Sequence, residues 1–291
     1  MRRLSFLFAV VWLSGCPVPS SPPEADEPRP TAARVVSLAP QVTETIGVLG
    51  ALPALAAVSD FCTLPPQACG RPKVGHGLRP DLEAIARIQP TVILLESTQQ
   101  GPGVDLTQLA PTVALPWLTL EEATRSIRRV GALVQKDAAA AQLAKRYTSE
   151  LSPAPRSKGT EGPEVLLVIG YPEPSGTFWF IKPTSLHGLL IPAVGARHPA
   201  ALVDWRGPPK MSAEDLVRLD PEWLIVLAQN DDAAALGAFD RLTTLRAVQS
   251  KQVRRIIRKS VFTTGPSLLK LKPLLQAMLF ASPQRDRAGD R

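Results

Sequence analysis

Asp81-Leu82-Glu83-Ala84-Ile85-Ala86-Arg87-Ile88-Gln89-Pro90-Thr91-Val92-Ile93-Leu94-Leu95 returns 131 positions later (212 minus 81) as Ser212-Ala213-Glu214-Asp215-Leu216-Val217-Arg218-Leu219-Asp220-Pro221-Glu222-Trp223-Leu224-Ile225-Val226. Each copy opens on a capping-type residue, carries a Glu in its first turn and spaces its apolar residues at helical intervals. A proline then stops the helix, and a short apolar run follows. Each copy therefore predicts a helix, a turn and a buried strand. A separation of 131 exceeds the few tens of residues of a solenoid repeat. The doubling predicts two similar α/β lobes with parallel-type sheets, and a cleft between lobes is where a ligand sits.

The rest of the chain fits around that pair. Arg34 to Pro40 reads as a first strand running into a loop, Thr43 to Leu49 as a helix ended by Gly50, and Ala56 to Ser59 as a second strand. Val113 to Leu115 adds a third. Thr119-Leu120-Glu121-Glu122 is a capping box opening a long helical region that runs to Leu151, with Asp137 as a second cap. Ser152 to Pro163 is a polar, Pro-rich connector, after which Glu164 to Gly170 starts the second lobe. Ser185 to Val194 is expected to be helical, Val261-Phe262 a last short strand, and Pro266 to Phe280 a helix kinked at Pro273. The boundaries expected are 34–136 for the N-terminal lobe, 137–163 for one long interlobe helix and connector, 164–281 for the C-terminal lobe and 282–291 for a frayed tail. A helical joint is stiffer than extended hinge strands, so little closure on ligand binding is expected.

The first 33 residues have a different character. Arg2 and Arg3 precede an apolar stretch from Leu4 to Leu13, which is too short for the roughly 20 residues of a membrane span and suits a signal peptide over 1–15. Leu13-Ser14-Gly15-Cys16 follows, resembling the lipobox of bacterial lipoproteins, whose Cys is lipidated. The alternative is an ordinary cleaved signal with an incidental Cys. Residues 16–33 are Pro-rich and almost free of apolar side chains, so they predict a tether between lipid and folded body. The chain is then exported and lipid-anchored at a membrane, on its periplasmic or cell-surface side.

In that compartment Cys62 and Cys69, in a Pro-rich loop, are expected to form a disulfide, with two free thiols as the alternative. The net charge of +7 is concentrated late: from Arg241 onward twelve Lys/Arg face only Asp286 and Asp290. An exported protein meets no nucleic acid, so Val253 to Lys259 reads as a solvated basic face with strand-like alternation.

Four stretches together resemble the substrate-binding proteins of ABC importers, of the helical-backbone type that carries cobalamin, ferric siderophores or haem. They are Val35 to Pro40, Ser59 to Pro66, Pro80 to Glu83 and Lys210 to Glu214. The resemblance covers roughly Arg34 to Ala281, and Asp60 to Pro66 leans toward the cobalamin members. It implies two α/β lobes bridged by one long helix and a bulky metal chelate, cobalamin first, held between them. It also implies an ABC importer permease dimer as partner, a monomeric receptor and no catalysis; the ligand is cargo, so no cofactor and no resident metal are expected. One Glu per lobe, here Glu83 and Glu214, would dock into arginine pockets of the permease. An acidic residue is also simply favourable in a helix's first turn.

Ligand contacts are expected from loops at the carboxyl ends of strands. In the first lobe these offer Pro40, Gln41, Phe61 and His76, and in the second Tyr171, Trp179, Trp205, Arg206 and Ser267. Trp179 sits in an alternating apolar run and suits the core equally. Two readings compete. A zinc- or manganese-type receptor needs three or four converging ligands, for which the chain offers only His76, His187 and His198 among its histidines. A lipid-anchored hydrolase would need a nucleophile elbow, which the sequence lacks.

Overall fold

The computed structural model describes residues 33–99, 104–155, 161–170, 176–202, 207–231, 237 and 239–280. The signal segment, Cys16, the tether, Tyr171, Trp205, Arg206 and the C-terminal tail lie outside the described residues.

The first lobe runs β1 (Val35–Ser37), α1 (Pro40–Val48), β2 (Leu55–Val58), α2 (Pro66–Cys69), the hairpin β3 (Gly75–His76) and β4 (Arg79–Pro80), α3 (Leu82–Ile88), β5 (Val92–Glu96) and β6 (Thr112–Leu115). Two helices follow, α4 (Leu120–Leu133) and α5 (Asp137–Leu151). The second lobe runs β7 (Val165–Ile169), β8 (Thr177–Phe180), α6 (Leu190–Ala193), β9 (Lys210–Ser212), α7 (Ala213–Leu219), β10 (Trp223–Ala228), α8 (Arg246–Gln249) and β11 (Val253–Ile257). A 3₁₀ turn at Pro266–Lys270 then leads into α9 (Leu271–Phe280).

The duplicated passage is a duplicated structure. Asp81 caps α3 by accepting a 2.9 Å hydrogen bond from Ala84 N–H, and Ser212 caps α7 by accepting one of 3.1 Å from Asp215 N–H. Both helices end on a left-handed residue before the proline, Gln89 (φ 50°) and Asp220 (φ 40°). An arginine holds each of those carbonyls: Arg34 Nε donates to Gln89 O at 2.8 Å and Arg246 Nε to Asp220 O at 3.0 Å. The strands that follow, β5 and β10, each lie beside the first strand of their own sheet.

The first sheet is parallel throughout, in the order β2-β1-β5-β6. The second, β11-β10-β7-β8-β9, has the same parallel kernel in β11, β10 and β7, but β8 runs antiparallel to β7, and β9 antiparallel to β8. The connection explains the departure. Only positions 170–176 separate β7 from β8, whereas a parallel crossover needs about a dozen residues. In the first lobe α1 provides that crossover between β1 and β2.

The helical region from Thr119 to Leu151 divides where the chain turns at Gln135 (φ 56°), and the second helix begins at Asp137 as expected, with Lys136 in the cap position. Gly131 of α4 and Ala140 of α5 approach so closely that a side chain at 131 would collide with the Ala140 Cβ. Two other expectations change. The helix expected over Ser185 to Val194 is confined to α6, and Val261-Phe262 forms no strand.

One core cluster joins the lobes. It packs Val35, Ile46 and Leu94 of the first lobe with Leu167, Ile191 and Leu275 of the second, around Ala140, Leu143, Ala144, Tyr147 and Leu151 on the buried face of α5. Separate clusters cover the outer faces of the two sheets. The lobes thus share packed interior along α5, and close packing resists hinge motion. Among the described residues no helix is long and apolar enough to cross a membrane.

Candidate functional site

The carboxyl ends of both sheets face a cleft of about 540 Å³. From the first lobe, the turn after β1 presents Pro40 and Gln41, the loop after β2 presents Phe61 and Thr63, and the β3–β4 hairpin presents His76 and Leu78. Glu96 ends β5, and Trp117 and Leu118 follow β6. From the second lobe come Gln229 after β10 and Lys259, Phe262, Thr263 and Thr264 after β11. Phe61 and Leu118 are each 61% exposed and Leu78 51%, so the cleft has apolar walls open to solvent. An apolar concavity with a few polar groups is the usual form of a small-molecule site.

Local bonds hold this surface. The Cys62–Cys69 disulfide, with Cα atoms 5.5 Å apart, closes the loop that carries Thr63 and follows Phe61. Asp60 N–H donates to Gly75 O at 2.9 Å and Gly75 N–H to Asp60 Oδ1 at 3.2 Å, tying that loop to the hairpin. The Phe61 and His76 rings consequently meet at 4.8 Å between centroids, tilted by 43°. Gln229 Nε2 donates to Lys259 O at 3.0 Å, linking the two second-lobe loops.

Behind the cleft the segment 264–267 is clasped to the first lobe and α5. Trp117 Nε1 donates to Thr264 O at 3.0 Å. Tyr147 Oη hydrogen-bonds Thr264 O, and Gly265 O at 3.1 Å. Glu44 of α1 accepts from both Ser267 N–H and Ser267 Oγ, each at 3.0 Å. Burial holds the Glu44 carboxyl above the ordinary glutamate range despite those bonds, and burial pushes the Tyr147 hydroxyl well above the usual phenol value, with the Glu44 charge adding to it. Gly265 is required here: a Cβ would sit 2.7 Å from Glu44 Oε2.

Of the residues expected to contact ligand, the structure brings Pro40, Gln41, Phe61 and His76 together in the cleft. Trp179 and Ser267 are elsewhere. Trp179 lies in β8 with Lys210 Nζ 5.4 Å from its ring centroid, and Ser267 is buried against Glu44. Sequence reasoning missed Trp117 and Leu118, although they directly follow a strand; it also missed Thr63, Lys259 and Phe262. Signals for the first two existed, since they stand between β6 and the α4 capping box.

The histidines do not converge. His187 Nε2 lies 2.8 Å from Val261 O and His198 Nε2 2.8 Å from Ile181 O; both are buried, and desolvation holds each below the ordinary imidazole range. Among the described residues no three His, Cys, Asp or Glu are placed to share a metal ion.

Glu83 and Glu214 project from the first turns of α3 and α7, with side chains 81% and 83% exposed. Each pairs with the arginine one turn on, Arg87 at 2.6 Å and Arg218 at 3.1 Å. Capping is done by Asp81 and Ser212, so neither Glu is needed for it.

Comparison with known proteins agrees with this architecture. The family model described as periplasmic binding protein matches residues 35–258. A vitamin B12-binding protein from Pectobacterium carotovorum subsp. carotovorum (strain PC1) is 26% identical over 214 residues, covering 71% of this chain and 75% of that protein. The solved structure of the periplasmic haem-binding protein HutB of Vibrio cholerae superposes with a TM-score of 0.73 at 21% identity, covering 86% of this chain and all of the other. The periplasmic vitamin B12-binding protein BtuF of Vibrio cholerae gives 0.67 at 21% identity, over 85% of this chain and 96% of that one. At such identities these two structures speak for the fold.

Proposed function

Because this chain belongs to the periplasmic binding protein family, we propose that it captures a bulky metal chelate, cobalamin first, and delivers it to an ABC importer. It is a binding protein, as its family is, and not an enzyme. The observation that carries the reading is the interlobe cleft. Exposed Phe61, Leu78 and Leu118, with Phe262 opposite, offer apolar faces to a macrocycle, while Gln41, Gln229 and Thr263 can orient its polar rim. The likeness to a vitamin B12-binding protein supports cobalamin. Haem is the second reading, favoured by His76: one imidazole in an aromatic cleft suffices as a protein ligand to haem iron.

The reading extends to delivery. Glu83 and Glu214 would exchange their own Arg87 and Arg218 for arginines of the permease, a swap that costs little because exposed pairs are weak. A lipid on Cys16 would keep the receptor at the membrane, as the lipobox pattern supports. Thermal unfolding with cyanocobalamin, haemin and a ferric siderophore tests the cargo. A ligand at a hundredfold its Kd stabilises by about 2.7 kcal/mol and raises Tm. If none of the three moves Tm, the chelate reading is wrong.

A further inference from the structure

A second recess opens beside the cleft. It holds about 390 Å³ and shares two lining residues with the cleft, Thr63 and Lys259, so the two spaces adjoin. Its character is different. Arg258, Lys259 and Lys270 line it, with Ser260 and Ser267, and no carboxylate does. Among the described residues none of the three cations is in a direct ion pair, whereas Arg246, Arg197 and Lys272 are each matched to acidic partners. Lys270 feels the charge of the buried Glu44 behind Ser267, while Arg258 and Lys259 have no such counter-charge among the described residues, so the concavity keeps a positive potential. At the junction, the buried Thr63 Oγ1 has no hydrogen-bond partner. A buried hydroxyl left unsatisfied costs free energy that an incoming acceptor would recover.

We propose that this recess receives an anionic side arm of the cargo, a carboxylate or a phosphate, while the chelate's apolar body occupies the cleft. This deepens and rests on the chelate reading: the cargo carries negative charge outside its metal-binding core. Lys259, at the shared wall, meets the point where arm joins body, a turn of the Thr63 side chain brings its unsatisfied hydroxyl out to donate to the arm, and Arg258 and Lys270 hold its end. Neutral or cationic chelates of the same size leave the three charges unanswered and bind less well.

The test compares chelates with and without the anionic arm. Haemin against its dimethyl ester varies the carboxylates, and cyanocobalamin against dicyanocobinamide removes the nucleotide loop together with its phosphodiester. Each is titrated into the full chain and into the double variant Arg258→Gln/Lys270→Gln, changed at two exposed positions and checked for folding by its urea midpoint. The wild type is expected to prefer the charged member of a pair at least tenfold, with the preference falling as salt rises and vanishing in the double variant. Which pair shows it identifies the arm as carboxylate or phosphate. A double variant that keeps the wild-type preference, or a wild type that has none, overturns the proposal. Inorganic pyrophosphate decides the matter where no chelate binds. Saturable, salt-sensitive binding by wild type alone keeps the anion recess and discards the chelate reading; equal binding by both proteins, or by neither, discards the recess as well.

Discussion

Glu44 and Ser267, 223 positions apart, are joined by two 3.0 Å hydrogen bonds that fasten α1 of the first lobe to the turn entering α9. With Trp117 and Tyr147 bonded to neighbouring carbonyls of the same segment, the floor of the cleft is a fixed seam. Glu44→Ala would leave the buried Ser267 N–H and Oγ without acceptors, at a cost of about 1–3 kcal/mol in urea unfolding. Glu44→Gln keeps an acceptor and should be close to neutral.

The same carboxyl sets a pH dependence. Burial raises its pKa in the folded protein above the ordinary value, so the stability linked to its neutral form is complete below the unfolded pKa and is lost as pH rises through the folded one. The wild type should therefore lose stability relative to Glu44→Gln as pH rises above the ordinary glutamate value of about 4.5. Urea midpoints of the two proteins across that range check the sign; a gap that narrows with rising pH would contradict it.

Glu83→Ala and Glu214→Ala should leave folding almost unchanged, since exposed i,i+4 pairs are worth only ~0.3–0.5 kcal/mol. Cargo affinity should be unchanged as well. Uptake in cells should fall at least tenfold in the double variant. Transport assays beside binding titrations separate these effects.

Opening the Cys62–Cys69 bridge should destabilise the protein by about 2 kcal/mol. It should also loosen the loop bearing Phe61 and Thr63, and so weaken cargo binding more than a distant lesion of equal stability cost. Melting and ligand titration with and without reductant measure both.

Phe61→Ala should weaken cargo binding about tenfold with little change in Tm, because the ring is mostly exposed and packs on His76 rather than in a core. Trp117→Phe should act the other way. It deletes the bond to Thr264 O from a fully buried ring and lowers Tm first.

Much of this fold is legible in local pattern. The capping residues Asp81 and Ser212, the prolines after α3 and α7 and the apolar runs of β5 and β10 act within a few residues of themselves. The first-lobe wall of the cleft is legible for a related reason: Pro40, Gln41, Phe61 and His76 follow strands closely. The second-lobe wall is legible only at Gln229, in the loop that follows β10. Val261-Phe262 looks like a strand, yet Val261 enters the core while Phe262 turns to the cleft, and the path of that segment depends on bonds to Trp117, Tyr147 and Glu44 far away in sequence. Ser267 reads as a cleft residue for the same reason; its hydroxyl is spent on Glu44. The reversal of β8 follows from the length of one connection, which apolar periodicity does not register.

The two repeat helices are near copies in charge and mirror each other in grease. Beside its Glu–Arg pair, α3 exposes Leu82 at the turn where α7 has Ala213, while α7 exposes Val217 where α3 has Ala86. A partner with a two-fold axis could grip the molecule turned end for end and find the same carboxylates. It would not find the same oily contacts. The duplication therefore leaves this surface with a polarity, and any symmetric platform that receives it must either tolerate both orientations or be asymmetric enough to choose one.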